Sequence, residues 1–300
     1  MPEVRVDPTF PVQRMLGVEF ARVGGRPLLL DAVFAPGRLH GEPEGPRPAV
    51  LFVGEPWIKG VRSTDPWYHP YLATHGFVAA SCDVRAFAEA PFPAQLHDVK
   101  AAIRWLREHA ATYGINPQRI GIWGDSIAAY LAALAGVTGD SGHPELEGPL
   151  APGAPSSRVQ AVVWASGVSD IPRLWAAWHW TRVHLSRVLG VPADAHPDLA
   201  RLASPVTHVG PGAPPFLLLH GTRDETTAFE QAVLLHQALR AAGVESELVP
   251  LLGRFHNWTG VEKNTDERWR YWDLAPMALP FFIRHLRPWH QEARTHQALP

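Results

Sequence analysis

The sequence predicts an α/β fold in which eight strands form a mostly parallel sheet with helices on both faces. Apolar runs of strand length recur along the 300 residues, for instance Ala49–Val53 and Pro215–His220. Segments with apolar residues at helical steps of three and four separate them. Strands that are apolar throughout are typical of parallel sheets, and their alternation with helices requires such a sheet. The chain length suits either one α/β domain or two smaller ones, and we expect a single domain over residues 1–300.

The first predicted element is an antiparallel hairpin. Val18–Val23 and Leu28–Ala35 are strand-like runs, and Gly24-Gly25 between them is typical of a tight turn. The elements that follow are a strand over Ala49–Val53, a helix over Pro66–His75, a strand over Val78–Val84, a helix over Leu96–Ala110 and a strand over Arg119–Trp123.

The second half follows a loop rich in Gly, Pro and Ser, Thr138–Ser157. Its predicted elements are a strand over Val159–Ala165, a small helical cap over about Ile171–Leu202, a strand over Pro215–His220, a helix through Ala242, a strand over Glu247–Leu252 and a closing helix over Met277–Leu286. Thr227 and Glu230 have the spacing of a capping box, which predicts that the helix through Ala242 opens there.

Ser126 lies where strand spacing changes to helical spacing. Arg119–Trp123 is apolar and β-branched, and the helical pattern begins at Ile127. The pattern Gly124-x-Ser126-x-Ala128 is close to the G-x-S-x-G turn that exposes a serine Oγ at a helix N-terminus, where negative charge is favoured. Alanine replaces the last glycine. An ordinary helix N-cap is the alternative interpretation of this serine.

Two further residues suit catalysis by Ser126. Asp224 and His256 each come just after a predicted strand, and the carboxyl ends of parallel strands meet at one edge of a sheet. A serine becomes a nucleophile when a histidine takes its proton, and a carboxylate fixes the histidine tautomer. The order Ser126, Asp224, His256 therefore predicts a catalytic triad. Asp170 is a second candidate for the acid.

From the hairpin to the closing helix, the chain resembles α/β hydrolases of the hormone-sensitive-lipase and bacterial feruloyl-esterase-like group. Besides the triad loops, the segments that carry the resemblance are Ala90–Pro93, Asp98–Leu106, Tyr113–Ile120 and Ala203–Val209. The resemblance implies a carboxylic ester hydrolase that works through an acyl-enzyme and needs no cofactor. The expected partner is a small-molecule ester, small to medium in size and apolar or aromatic.

The loop after Ala49–Val53 departs from that family. The family has a His-Gly-Gly-Gly-type loop whose backbone N–H groups bind the oxyanion, whereas this chain has Gly54-Glu55-Pro56-Trp57. Pro56 has no N–H, which removes one donor. Gly54-Glu55-Pro56 also resembles the His-Gly-x-Pro loop of epoxide hydrolases and haloalkane dehalogenases, in which residue x donates its N–H. That resemblance implies a two-donor oxyanion hole made by Glu55 and Ile127.

Tryptophans are the candidates for contact with substrate. Trp57 and Trp258 lie beside predicted catalytic loops. Trp175 and Trp178 belong to the predicted cap, which covers the serine in the family; packing within the cap is their alternative role. No metal-ligand spacing occurs, so no metal site is expected.

Composition limits the partners and the cellular location that we expect for the protein. The net charge of -2 is no reason to expect nucleic acid as a partner. No stretch is long enough to span a membrane and the N-terminus has no signal-peptide pattern, which predicts a cytoplasmic protein. A homodimer stays open.

Two other functions also stay open. Trp123–Ser126 followed by Ala129–Leu131 resembles the elbow of prolyl-oligopeptidase-type serine peptidases, which favours a peptidase or amidase. The altered loop after Val53 favours a ligand-binding relative with weakened catalysis.

Overall fold

The computed structural model describes residues 4–6, 12–37, 45–57, 68–177, 179–256 and 274–287. The strands within these ranges are β1 (Val4–Val6), β2 (Gln13–Val23), β3 (Arg26–Phe34), β4 (Arg47–Val53), β5 (Val78–Cys82), β6 (Ile115–Asp125), β7 (Ala161–Ala165), β8 (Phe216–Gly221) and β9 (Ser246–Leu251). The helices are α1 (Tyr68–Ala73), α2 (Ala94–Glu108), α3 (Ala110–Tyr113), α4 (Ile127–Thr138), α5 (Pro144–Glu147), α6 (Ile171–Ala177), α7 (Arg182–Leu189), α8 (Pro197–Leu202), α9 (Glu230–Ala241) and α10 (Leu274–Leu286). Two 3-10 helices cover His179–Thr181 and Pro205–His208.

The described strands form one sheet in the order β1-β2-β3-β5-β4-β6-β7-β8-β9. Strands β1, β2 and β3 pair antiparallel, β3 is antiparallel to β5, and every pairing from β5 to β9 is parallel. All eight predicted strands are therefore present. The ninth, β1, was not predicted because three residues are too short to show a periodic pattern.

Helices cover both faces of the sheet, as the apolar strands predicted. Neighbouring residues of β4 point to opposite faces: Leu51 belongs to the core that contains α2 and α4, and Phe52 to the core that contains α1 and α10. Both side chains are buried. The central strands are thus held from two sides, and their carboxyl ends are fixed points from which loops can present side chains.

The connections that leave the carboxyl ends of the strands run in opposite directions on the two sides of β4. The chain passes from β4 to β5 on one side of it and later returns to form β6 on the other side. A parallel sheet in which neighbouring connections leave in opposite directions has a crevice at that point, and ligands bind there. The loops after β4 and β6 carry Glu55 and Ser126, two of the predicted site residues.

The segment between β7 and β8 is helical, as the sequence predicted for Ile171–Leu202. It contains α6, the 3-10 helix His179–Thr181, α7 and α8, which we call the inserted helices. Across the described part of the chain, no helix is both long and apolar enough to cross a membrane.

Candidate active site

Ser126 occupies a strained turn between β6 and α4. Its φ of 54° and ψ of -122° are unusual for a residue with a side chain. Gly124 makes the turn possible, since a Cβ there would lie 2.2 Å from the carbonyl oxygen of Ala128. The turn accepts Ala128 itself, whose methyl group is buried. The N–H of Ser126 donates to the carbonyl of Ala165 at 2.8 Å, which fixes the turn to β7.

The three predicted triad residues lie together in one hydrogen-bonded chain. Ser126 Oγ is 2.9 Å from Nε2 of His256, and His256 Nδ1 is 2.8 Å from Oδ2 of Asp224. Ser126 makes no side-chain capping bond to α4, which rules out the ordinary N-cap interpretation. The second candidate acid, Asp170, instead contacts Arg173.

Asp224 is held as an anion although its side chain is fully buried. Its Oδ1 accepts the backbone N–H groups of Thr226 and Thr227, each at 2.8 Å. Burial alone raises the pKa of Asp224, but hydrogen bonds from His220 and His256 outweigh burial and hold that pKa well below its usual value. An ionised carboxylate fixes the proton of His256 on Nδ1, which leaves Nε2 free to accept the proton of Ser126.

His220 and Thr227 are site residues that the sequence did not reveal. His220 is fully buried, with Nε2 3.2 Å from Oδ2 of Asp224 and 2.8 Å from the carbonyl of Thr227. Thr227 Oγ1 donates to the carbonyl of Ser166 at 2.7 Å and lies 3.1 Å from Asp224. The predicted capping box is therefore wrong: α9 begins at Glu230 without a side-chain cap, because Thr227 is engaged with the acid.

The loops of the acid and the base are bonded to each other. Thr222 N–H donates to Leu251 at 3.1 Å and Arg223 N–H donates to Arg254 at 2.9 Å, both to carbonyl oxygens. A Cβ on Gly221 would lie 2.4 Å from that oxygen of Arg254, so only glycine allows this approach. The two loops therefore form one unit that keeps Asp224 within reach of the base.

The loop after β4 leaves one backbone donor uncommitted. Gly54 N–H donates to Cys82 at 3.0 Å, and the carbonyl of Pro56 accepts the N–H of Phe87 at 2.9 Å. The N–H of Glu55 between them has no acceptor among the described residues, and neither has the N–H of Ile127. Both residues line the same cavity as Ser126.

The carboxyl group of Glu55 is itself perturbed. Burial, helped by the negative charge of Asp125, raises its pKa from 4.5 to about 7. Asp125 accepts a hydrogen bond from the indole of Trp123 at 3.1 Å. Glu55 therefore changes charge near neutral pH beside two backbone donors.

The cavity at the triad has a volume of about 870 Å³. Besides Ser126 and His256, its lining includes four aliphatic residues, Val168, Leu174, Leu185 and Val188. Trp57 lines it, as predicted, and its ring centroid lies 5.5 Å from that of His184, which in turn lies 6.2 Å from that of Trp180. An apolar floor and three aromatic rings therefore surround the serine.

Of the other predicted tryptophans, Trp175 is not among the cavity residues. Trp175 is buried in the core, under the guanidinium of Arg182. Its side chain packs in the core with Leu174 and Leu185 of the inserted helices. Trp180 and His184 line the cavity, where Trp175 was expected. Trp178 and Trp258 lie outside the described residues.

No group of three or more His, Cys, Asp or Glu side chains that could hold an ion occurs within residues 4–287 where the structure describes them.

A sequence model of the BD-FAE family matches residues 39–239. The match includes Ser126 and Asp224 and ends before His256. Esterase LipC of Mycobacterium tuberculosis is 34% identical over 207 residues, which are 66% of this chain and 50% of that protein. The chain spans about half the length of the curated relatives it matches.

Solved structures agree with this relationship. An esterase from Thermogutta terrifontis, Est2 with propionate bound, has a TM-score of 0.70 and 28% identity, covering 96% of each chain. Esterase 2 of the same organism, phosphonylated by cyclosarin, has a TM-score of 0.69 and 27% identity, covering 96% of each chain. The family match over more than half of the chain, together with this fold and serine turn, means that the chain belongs to the BD-FAE family of α/β hydrolases.

Proposed function

We propose that this protein is a serine carboxylic ester hydrolase that acts through an acyl-enzyme. The observation that carries the proposal is the unbroken hydrogen-bonded chain from Ser126 through His256 to Asp224, which ends at a cavity large enough for an ester. The esterase activity named for relatives in Mycobacterium and Thermogutta supports the same chemistry.

The triad residues divide the proposed reaction between them. Ser126 Oγ attacks the ester carbonyl while His256 Nε2 takes its proton, and Asp224 stabilises the imidazolium that forms. His256 then gives the proton to the leaving alcohol. Water enters by the same route, with His256 again as base, and releases the acid from Ser126.

The oxyanion is stabilised, in this proposal, by the N–H groups of Glu55 and Ile127. Both N–H groups lack an acceptor within the described part of the chain, and both residues line the cavity of Ser126. One well-placed donor contributes roughly a hundred- to a thousandfold to the rate of acyl transfer. A two-donor hole therefore favours an active enzyme over the ligand-binding relative, and the intact triad favours it too.

The lining supports a small to medium ester with an apolar or aromatic part. Trp57, Trp180 and His184 offer ring faces and edges, and the aliphatic floor offers no charge. We include Trp57 as a substrate contact; Trp175, Trp178 and Trp258 stay predictions from the sequence. A single domain with the inserted helices as its cap, a cytoplasmic location and a homodimer also stay predictions. None of the relatives reported above is a peptidase, so that alternative gains no support from them.

The test is a fluorophosphonate probe together with a panel of aryl and alkyl esters and aminoacyl amides. We expect wild type to be labelled and to hydrolyse esters faster than amides, and Ser126→Ala to lose labelling and hydrolysis together. Labelling that persists in a folded Ser126→Ala variant would locate the nucleophile elsewhere. A preference for amides would favour the peptidase alternative.

A further inference from the structure

Arg187 is a charged residue in the cavity that the catalytic steps leave unused. It lies in α7 and lines the same cavity as Ser126, and its side chain is exposed. No hydrogen bond or ion pair of Arg187 occurs among the residues that the structure describes. His184, one helical turn before it, lines the cavity too, so this face of α7 is turned toward the serine.

The charge around Arg187 is positive. Residues 171–190 contain three arginines and two histidines but no aspartate or glutamate, in a chain whose net charge is -2. Arg173 is satisfied by Asp170 and Glu230, and Arg182 donates to the carbonyl of Trp175 at 3.0 Å. Arg187 therefore differs from the other two: its guanidinium is uncommitted, and it borders the space where substrate would lie.

Negative charge is scarce among the described residues of the cavity. Glu55 is the one acidic residue in that part of the lining, and burial raises the pKa of Glu55 to about 7. Near neutral pH and below it, much of Glu55 is uncharged. A cavity with a free guanidinium and little compensating negative charge attracts anions.

We propose that Arg187 binds a carboxylate carried by the ester substrate, so that the preferred substrates are esters with a second, ionised carboxyl group. The proposal rests on the ester hydrolase activity proposed above and adds the substrate class. One guanidinium pairs with one carboxylate through two parallel N–H···O bonds. A single arginine suits a singly charged group better than a phosphate dianion. The aromatic rings of Trp57 and Trp180 then contact the uncharged part of the same substrate.

The experiment compares esters that differ in this charge alone. In one arm, the phenyl monoester of glutaric acid is compared with its terminal amide; in the other, 4-acetoxybenzoate is compared with 4-acetoxybenzamide. The first arm places the carboxylate on the acyl side and the second on the alcohol side. For each arm, the measured quantity is the ratio of kcat/KM for the acid to kcat/KM for the amide, in wild type, Arg187→Gln, Arg187→Lys and Arg173→Gln.

We expect the ratio to fall roughly ten- to a hundredfold in Arg187→Gln in one arm, the usual range for a hydrogen-bonded charge. Arg187→Lys keeps the charge but loses the paired geometry, so its ratio falls less. Arg173→Gln is the matched control, because Arg173 is an exposed arginine of the inserted helices that pairs with other residues. Its ratio equals that of wild type. Added salt lowers the wild-type ratio and leaves that of Arg187→Gln nearly constant.

Three results would overturn this role of Arg187: an unchanged ratio in both arms, an equal fall in Arg173→Gln, or wild type that cleaves the ester bond of the carboxamide compounds but of neither acid. Each of these results leaves the ester hydrolase standing, because the ester bond of the neutral compounds is still cleaved with the help of Ser126. Failure of wild type to cleave any of the four esters overturns the proposed function as well.

Discussion

Each end of α4 is connected by hydrogen bonds to a buried charge. The two ends are roughly 18 Å apart, the length of a helix of twelve residues. At the N-terminus, Ser126 begins the chain that leads to Asp224. At the C-terminus, the carbonyl of Thr138 accepts Lys100 Nζ at 2.7 Å, and Lys100 lies 2.6 Å from Glu147. Arg104 bonds the other carboxylate oxygen of Glu147. We call the second group the Lys100 cluster.

The two groups differ in where they end. The Lys100 cluster closes on itself: Glu147 bonds two cations and the hydroxyl of Ser157, and none of these residues lines the cavity. The triad ends at a hydroxyl that faces the cavity. Burial lowers the pKa of Lys100, so a shifted pKa occurs at both ends of the helix. A shifted pKa alone therefore does not indicate a catalytic site. The difference between the two groups is the serine hydroxyl that borders the cavity at the end of the chain.

The largest expected effect comes from Asp224→Asn, which alters the triad and leaves the Lys100 cluster untouched. Oδ1 of Asp224 accepts two backbone N–H groups, so an asparagine keeps its oxygen there and turns its NH₂ toward His256. His256 must then carry its proton on Nε2 and no longer accepts the proton of Ser126. We expect kcat/KM for a neutral ester to fall by about 10⁴ at pH 7.

The control for Asp224→Asn is its midpoint of urea unfolding, which shows whether the loops remain folded. Activity within tenfold of wild type, in a folded variant, would remove Asp224 from the triad and return Asp170 as the candidate acid.

Glu147→Gln is the converse experiment at the other end of α4. It leaves the ammonium of Lys100 buried without an opposite charge, and removing one partner of a buried pair typically lowers the free energy of unfolding by roughly 3 to 5 kcal/mol. Urea unfolding at pH 7 measures the loss. The kcat of the folded enzyme should stay within about twofold, because the cluster contacts no reacting atom.

Glu145→Gln is the matched control for Glu147→Gln. Glu145 lies in the same helix, α5, but half of its side chain is exposed, and it pairs with His143 at 3.6 Å. We expect a change below about 0.5 kcal/mol. If both variants lose stability equally, the buried ion pair of Lys100 and Glu147 does not stabilise the fold as proposed.

The proximity of Ser126, His256 and Asp224 was predictable because each of these residues stands at the end of an apolar strand, and strand ends of a parallel sheet converge. The same rule placed Glu55 beside the serine. The eight strands were predictable from their apolar runs, since both faces of the sheet are buried.

The supporting residues were not predictable, because they depend on contacts between distant segments. His220 looks like the last residue of a strand, and Thr227 has the spacing of a helix cap; only their approach to Asp224 reveals their role. Trp180 and His184 line the cavity and Trp175 does not. This difference was not predictable, because a helical pattern alone does not tell which side faces the core. Nothing in the local sequence pairs Lys100 with a glutamate 47 residues away.

The smallest expected effect concerns Glu55. Unlike the carboxylate of Glu147 in the Lys100 cluster, its carboxyl group has no compensating cation among the residues that the structure describes. With a pKa of about 7 it is neutral in acid and negative in base, where it opposes negative charge on the substrate oxygen. Glu55→Gln keeps the backbone N–H and stays neutral. We expect the ratio of kcat/KM, variant over wild type, to lie near one at pH 5 and to rise by less than roughly tenfold toward pH 9, with its midpoint near pH 7.

Stability gives an independent reading of the same group. Because the pKa of Glu55 is higher in the folded protein than its usual 4.5, the folded state binds the proton more tightly than the unfolded state. Wild type should therefore lose stability relative to Glu55→Gln as the pH rises from about 4.5 to about 7, and the difference should stay constant above that range. If stability follows this course but the rate ratio stays flat, Glu55 titrates inside the protein and its charge does not act on the reacting oxygen. A rate ratio that falls with pH would mean that the charge assists the reaction, which contradicts the prediction.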